Sequence, residues 1–157
     1  MQGVNFIDIF PIFQDSKLVE QVIKALLNET VGYKIDGIVG LESRGFLFGV
    51  LLAKELNLPF YPIRKKGKLP GKVILTSFDK EYGHDELEIQ TGITGNILIV
   101  DDLLATGGSV SAAIKLIKAA GSIPLKALFV VELAYLNGKK CLEKENIPYA
   151  SLVQLQQ

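Results

Sequence analysis

The feature that most constrains the fold is a short apolar run, residues 97–100, followed closely by a helical pattern. Its sequence, Ile-Leu-Ile-Val, is typical of a strand that is covered on both faces at the centre of a parallel sheet. Beyond it, apolar residues recur at helical spacing at Val110, Ala113, Ile114, Ile117 and Ala120. A buried strand followed by an amphipathic helix is the repeating unit of α/β proteins.

The same alternation runs through most of the chain. Apolar spacing predicts helices over residues 16–28, 45–56 and 136–145. It predicts buried strands over residues 35–40 and 125–133, and further strands over residues 59–63 and 150–155. Residues 73–78 and 86–90 alternate like the strands of a hairpin and interrupt this rhythm. We therefore predict one α/β domain over residues 1–157, with a central parallel sheet flanked by helices.

Charge and cysteine content exclude several classes of protein. The chain has 17 basic and 17 acidic residues, so it lacks the basic excess typical of nucleic-acid binding. A single cysteine, Cys141, forms no intramolecular disulfide and indicates a reducing compartment. No signal peptide is visible, and no apolar run approaches the roughly 20 residues that span a bilayer. We expect a cytoplasmic protein with no nucleic-acid or membrane partner.

Two polar segments follow predicted strands, the position at which open α/β sheets bind ligands. One is residues 42–45, and the other is residues 101–109. In the second, Asp101 and Asp102 follow the strand and a Thr-Gly-Gly-Ser turn opens the helix. Free N–H groups at a helix N-terminus favour phosphate, and carboxylates accept hydrogen bonds from sugar hydroxyls or metal-bound water. A ribose phosphate suits both halves of this segment.

Other nucleotide and hydrolase patterns do not fit. The chain contains neither a Walker A motif nor a G-x-G-x-x-G motif. Ser43 lies in a strand-to-helix turn, as the nucleophile of an α/β-hydrolase does, but Leu41 stands where that pattern needs glycine. His84 is the only candidate base, and it lies in a predicted loop.

Residues 97–108, with the sequence I-L-I-V-D-D-L-L-A-T-G-G, closely resemble the phosphoribosyl-diphosphate signature of type I phosphoribosyltransferases. The L-L-A-T-G-G variant resembles that of the members that act on adenine. Further similar stretches follow in the same order over nearly the whole chain, at residues 40–46, 64–71, 81–83, 86–90 and 151–153. The resemblance implies the type I fold, with a small hood from about residues 1–14 and a flexible loop and hairpin over about residues 64–90.

The resemblance also assigns roles to residues. It implies that the phosphoribosyl group and its 5′-phosphate are bound by Asp101, Asp102, Ala105, Thr106, Gly107, Gly108 and Ser109. It implies that diphosphate is bound by Glu42, Ser43, Arg44, Arg64, Lys65, Lys68 and Tyr82, in which the cations neutralise phosphate charge. The bond joining the residues that match Glu42 and Ser43 is usually cis in the family. The catalytic residues implied by the resemblance are Arg44, Asp101, Asp102 and Glu81.

The N-terminal segment would hold the base. By resemblance, the ring of Phe6 stacks on the purine and main-chain groups of Val4 and Ile7 read its edge. Ile7 stands where the family commonly has arginine. Packing of Phe6 in the core with Ile9 and Phe10 is an equally open interpretation of the sequence. Glu81 would contact the purine and accept its proton as the loop closes.

The expected function is purine salvage. The phosphoribosyl group of 5-phospho-α-D-ribose 1-diphosphate would pass to adenine, giving AMP and diphosphate, with magnesium carried by the substrate. The resemblance also implies a homodimer. Three alternatives stay open at this point. They are the same chemistry on hypoxanthine or guanine, a non-catalytic regulator that senses phosphoribosyl diphosphate, and a pure interaction protein, which would not need the Asp pair.

Overall fold

The computed structural model describes residues 7–80 and 83–157. Seven strands are found there: β1 Gly37–Leu41, β2 Phe60–Lys65, β3 Val73–Lys80, β4 Gly83–Gln90, β5 Asn96–Leu104, β6 Ile123–Leu133 and β7 Tyr149–Leu155. The helices are α1 Phe10–Phe13, α2 Ser16–Asn28, α3 Gly45–Leu56, α4 Gly108–Ala119 and α5 Lys139–Lys144, with a 3-10 turn at Ala134–Leu136.

All seven strands join one sheet in the order β3-β4-β2-β1-β5-β6-β7. Strands β2, β1, β5, β6 and β7 are parallel, which confirms the predicted α/β fold with its central parallel sheet. The predicted hairpin is also present, but β4 pairs antiparallel with β2 and extends the same sheet. Ile63 and Ile89 are register partners and both are buried, so their burial helps to hold the hairpin to the sheet.

Helices cover both faces of the sheet. Helices α2 and α3 pack in one apolar cluster, and α4 and α5 pack in another with the β3–β4 hairpin. Helix α2 begins after Asp15, whose carboxylate accepts hydrogen bonds from the N–H groups of Lys17 and Leu18. No helix of the described residues is long and apolar enough to cross a membrane.

The helix predicted over residues 136–145 is wrong in its first three residues. A 3-10 turn ends at Leu136, and α5 begins only at Lys139. Asn137 separates them with a left-handed backbone, φ 57°, which an α-helix cannot contain. This break brings Gly138 against the loop between β5 and α4.

Candidate active site

A cavity of about 230 Å³ opens at the carboxyl ends of β1 and β5. These strands are neighbours in the sheet, and their connections leave through helices packed on opposite faces, which creates a crevice between them. The cavity is lined by Glu42, Ser43, Arg44, Asp101, Asp102, Leu103, Leu104, Ala105, Thr106, Gly107, Gly108, Ser109, Val110 and Phe129. The two segments singled out in the sequence therefore form one site.

Strand β5 extends farther than its sequence predicts. Its last register partner in β1 is Gly40, opposite Val100, whereas its pairing with β6 continues to Leu104. Asp101 and Asp102 thus belong to the strand rather than to the predicted loop, because β6 supplies backbone partners beyond the end of β1. The chain leaves the sheet only after Leu104, directly before the turn from Thr106 to Ser109.

Arg44 joins three parts of the site. Its Nε lies 2.8 Å from Oδ2 of Asp102, which is only 6% exposed in its side chain. Its Nη1 donates a hydrogen bond of 3.3 Å to the carbonyl oxygen of Ile7. The guanidinium therefore connects the turn after β1, the second carboxylate and the N-terminal segment.

Asp101 lies against the start of α3. Its Oδ1 accepts a hydrogen bond of 2.9 Å from the backbone N–H of Asp102. A Cβ at Gly45 would lie 2.9 Å from the same oxygen, so glycine permits this close approach. Burial, followed by the charge of the neighbouring Asp102, raises the pKa of Asp101 well above its usual range.

The turn from Thr106 to Ser109 forms one end of the cavity. Gly107 has a φ of 91° and precedes α4, whose first-turn N–H groups face outward from the helix end. The loop around α5 packs behind this turn: a Cβ on Gly107 would lie 2.7 Å from the carbonyl oxygen of Gly138 and 2.9 Å from Sγ of Cys141. Cys141 is therefore a packing residue, and burial raises the pKa of its thiol.

The turn after β1 contacts the basic loop, which we define as residues 64–72. The Glu42–Ser43 bond is cis, as the family resemblance implies. Glu42 accepts hydrogen bonds from the backbone N–H of Lys65, at 2.7 Å, and from Nη2 of Arg64, at 2.9 Å. Burial opposes the charged form of Glu42, but these hydrogen bonds and the nearby cations outweigh it and lower its pKa.

Most residues predicted for the site line this cavity, and the exceptions fall into two groups. Lys65 and Lys68 are exposed and are not among its lining residues, and Arg64 reaches it through Glu42. Ile7 does not line it either, although its carbonyl oxygen accepts a hydrogen bond from Arg44. Val4, Phe6, Glu81 and Tyr82 lie outside the described residues.

The sequence analysis missed an apolar part of the cavity wall, formed by Leu103, Leu104, Val110 and Phe129. These residues carry no distinct signal, because the same apolar pattern is expected of core residues.

Two other chemistries find no support in the described residues. Nδ1 of His84 lies 3.0 Å from Asp79 on the exposed hairpin, and His84 does not line the cavity with Ser43. Residues 7–80 and 83–157 contain no group of three or more histidine, cysteine or acidic side chains arranged to hold a metal ion.

Comparisons with known proteins identify the family of the chain. The phosphoribosyl transferase domain family matches residues 12–154. An adenine phosphoribosyltransferase of Caenorhabditis elegans is 47% identical over 152 residues, which are 93% of this chain and 82% of the relative.

Solved structures are similar as well. The adenine phosphoribosyltransferase of Thermoanaerobacter pseudethanolicus matches with a TM-score of 0.93 and 40% identity, over 98% of this chain and 90% of that one. The Saccharomyces cerevisiae adenine phosphoribosyltransferase, solved with an imino-altritol bisphosphate and adenine, matches with a TM-score of 0.88 and 44% identity, over 96% and 88%.

The fold is that of a phosphoribosyltransferase, and the family match at residues 12–154 includes the segments that line the cavity. The chain belongs to that family and, within it, to the adenine phosphoribosyltransferases.

Proposed function

We propose that the chain transfers the phosphoribosyl group of phosphoribosyl diphosphate to adenine, giving AMP and diphosphate in purine salvage. The observation that carries the proposal is that hydrogen-bond acceptors and hydrogen-bond donors line the same cavity. An acceptor pair, Asp101 and Asp102, lies beside a donor-rich helix start at residues 106–109. A sugar phosphate is the ligand class that needs both, since its hydroxyls donate and its phosphate accepts.

Positioning is the first part of the mechanism. Asp101 and Asp102 hold the ribose hydroxyls while Ala105 and the turn from Thr106 to Ser109 bind the 5′-phosphate. With both ends of the sugar fixed, the anomeric carbon is oriented toward the base for substitution. Positive charge develops at that carbon as the bond to diphosphate breaks, and the nearby carboxylates favour it.

The leaving diphosphate is the second part. Ser43 and Arg44 line the cavity beside the carboxylate pair, and the adjoining basic loop supplies Arg64, Lys65 and Lys68. Glu42 and Tyr82 complete this proposed group. Cations here neutralise charge that grows on the diphosphate in the transition state. Substrate-bound magnesium adds to that neutralisation, and the oxygen ligands of Asp101 and Asp102 fit its hydration shell.

The base is the third part. We assign it to the N-terminal segment, with Phe6 stacking on the purine and main-chain groups of Val4 and Ile7 reading its edge. The hydrogen bond from Arg44 to the Ile7 carbonyl supports this, because it ties that segment to the turn that lines the cavity. Glu81 accepts the proton that the purine loses as its bond to the ribose forms.

The direct test is product analysis. Purified protein incubated with adenine, phosphoribosyl diphosphate and magnesium should yield AMP and diphosphate in a one-to-one ratio by chromatography. Binding of phosphoribosyl diphosphate without AMP formation would instead identify a regulator.

We also propose a cytoplasmic homodimer. The exposed apolar side chains Leu47 and Val50 on α3 support an interface there, since α3 presents them to solvent in the single chain. Sedimentation velocity should give about twice the chain mass of 17.2 kDa. A monomer at micromolar concentration would contradict this.

A further inference from the structure

Glu88 is a buried carboxylate that the proposed mechanism does not use. It lies on β4, is 2% exposed and is not among the residues that line the cavity. Its Oε1 accepts a hydrogen bond of 2.7 Å from the backbone N–H of Leu69, in the basic loop. Burying a carboxylate lowers the stability of the fold unless hydrogen bonds compensate for the lost water. An apolar side chain at this position would be buried without that cost.

The basic loop needs an external constraint. It contains Gly67 and Gly71, both with positive φ and with open space where a Cβ would be. Glycine loses more backbone freedom on ordering than any other residue. Hydrogen bonds within the loop hold only its first part, from the N–H of Lys68 to the Lys65 carbonyl and from Nη1 of Arg64 to the Lys68 carbonyl, so the backbone that follows depends on contacts from outside the loop.

The contacts of the loop show where it is held. Glu42 accepts the N–H of Lys65 at its beginning, and Gln90 donates a hydrogen bond of 3.0 Å to the carbonyl of Pro70 near its end. Glu88 binds Leu69, directly after Lys68. Of these three side chains, Glu88 is the most deeply buried, and it projects from a strand of the sheet.

We infer that Glu88 is a positioning residue that fixes the basic loop so that its cations meet the diphosphate group. The inference rests on the proposed function, because that function makes the diphosphate group the ligand of the basic loop. A preformed loop binds more tightly because less conformational entropy is lost on binding. The effect is specific to ligands that contain diphosphate, whereas AMP uses the phosphate loop and the base segment.

The test compares diphosphate with AMP by titration calorimetry in the presence of magnesium. Glu88→Met keeps the approximate volume and removes the acceptor, so it should weaken diphosphate binding and raise the KM for phosphoribosyl diphosphate about tenfold. AMP affinity and the KM for adenine should stay within about twofold. Glu88→Gln keeps an acceptor oxygen and should restore diphosphate affinity to near that of the wild type.

Glu86→Ala is the matched control. Glu86 lies two residues away on the same strand and pairs at 2.9 Å with Lys66 of the same loop, but the two side chains are half-exposed, at 39% and 56%. Exposed pairs contribute little, so this variant should change diphosphate affinity less than twofold. Unchanged diphosphate affinity in Glu88→Met, or an equal loss for AMP, would overturn the inference.

A second measurement covers the case in which Glu88→Met does not fold. In the wild type, the Leu69 amide should be protected from hydrogen exchange before any ligand is added. Exchange of the Leu69 amide at the rate of an unstructured peptide would overturn the inference. A wild-type protein that makes no AMP would contradict the proposed function, while an active wild type with an unaltered Glu88→Met variant contradicts only the role of Glu88.

Discussion

The Arg44 guanidinium lies 2.8 Å from the Asp102 carboxylate, across the crevice between two neighbouring strands. The two residues are 58 positions apart in the chain: Arg44 lies in the turn after β1, and Asp102 lies in strand β5. Arg44 also donates a hydrogen bond to the Ile7 carbonyl, so one cation contacts both the buried carboxylate and the N-terminal segment, which we propose bind the ribose and the base. A change at either partner should therefore affect the other.

A double-mutant cycle tests this coupling. Arg44→Gln and Asp102→Asn should each lower kcat/KM for phosphoribosyl diphosphate about tenfold to a hundredfold, because each removes a charge-assisted contact. Contacting residues are not additive, so the double variant should be much less impaired than the product of the two losses. As a control, Lys118→Gln and Glu145→Gln remove a half-exposed pair and should leave kcat/KM within about twofold. Fully multiplicative losses would contradict the coupling.

Asp101→Asn should separate stability from activity. The raised pKa of Asp101 means that its charged form is disfavoured in the folded protein, first by burial and then by Asp102. The stability penalty is absent below the unfolded pKa of about 4 and grows as pH rises through the interval up to the folded pKa. The variant should therefore melt higher than the wild type at neutral pH, by roughly 2–4 °C, and lose this advantage as pH falls toward 4.

The same variant should lose activity. Asparagine keeps the size of Asp101 but weakens ribose recognition, so kcat/KM should fall about tenfold to a hundredfold. Scanning calorimetry between pH 4 and pH 8, beside steady-state kinetics, checks both parts. Asp79→Asn, at an exposed position, should show neither effect. A gain in melting temperature that is largest at low pH would reverse the sign and contradict the account of Asp101.

Gly107→Val should abolish binding of AMP and phosphoribosyl diphosphate. A side chain there meets both a positive φ and the Gly138 carbonyl, 2.7 Å from the new Cβ, so the turn must shift away from its phosphate-binding shape. Gly107→Ala has the same clash at its Cβ, and calorimetry should show AMP affinity at least about tenfold lower.

Gly121→Ala is the control for backbone strain alone. Gly121 has a φ of 82° but nothing within 4 Å of its Cβ position, at the far end of α4. It should lose stability without losing AMP affinity. A folded Gly107→Val protein with unchanged AMP affinity would show that the turn does not bind the phosphate.

Glu81→Gln tests the proton acceptor. The substitution keeps the size of the side chain and removes its basicity, so turnover should fall by roughly 10²–10⁴-fold while phosphoribosyl-diphosphate affinity stays nearly unaltered. Single-turnover kinetics with direct titration of the substrate measures the two effects separately. If the variant has wild-type turnover under conditions in which chemistry limits the rate, a group other than Glu81 accepts the proton.

Local sequence signals predicted much of this molecule. Helix α2 has the predicted bounds because its cap, Asp15, and its apolar stripe are both encoded within a few residues. The site segments after β1 and β5 were also predictable, since each is a contiguous polar stretch at the end of an apolar strand. The family resemblance then supplied the ligand, which residue spacing alone narrows only to a sugar phosphate.

Features that depend on distant partners were not predictable. The extension of β5 to Leu104 is set by pairing with β6, and the position of Glu88 under Leu69 is set by the hairpin joining β2. The Arg44–Asp102 pair likewise requires the turn after β1 and strand β5 to come together in space. Each depends on the register between strands, which a single sequence does not state.

The central claim is tested most directly by diphosphate release with adenine, hypoxanthine, guanine and xanthine in parallel, each with saturating phosphoribosyl diphosphate and magnesium. Phosphoribosyl transfer to adenine predicts diphosphate release with adenine at a kcat/KM at least about a hundredfold above that of every other base, with AMP as the product. Release that is faster with hypoxanthine or guanine, or absent with all four bases, would contradict it.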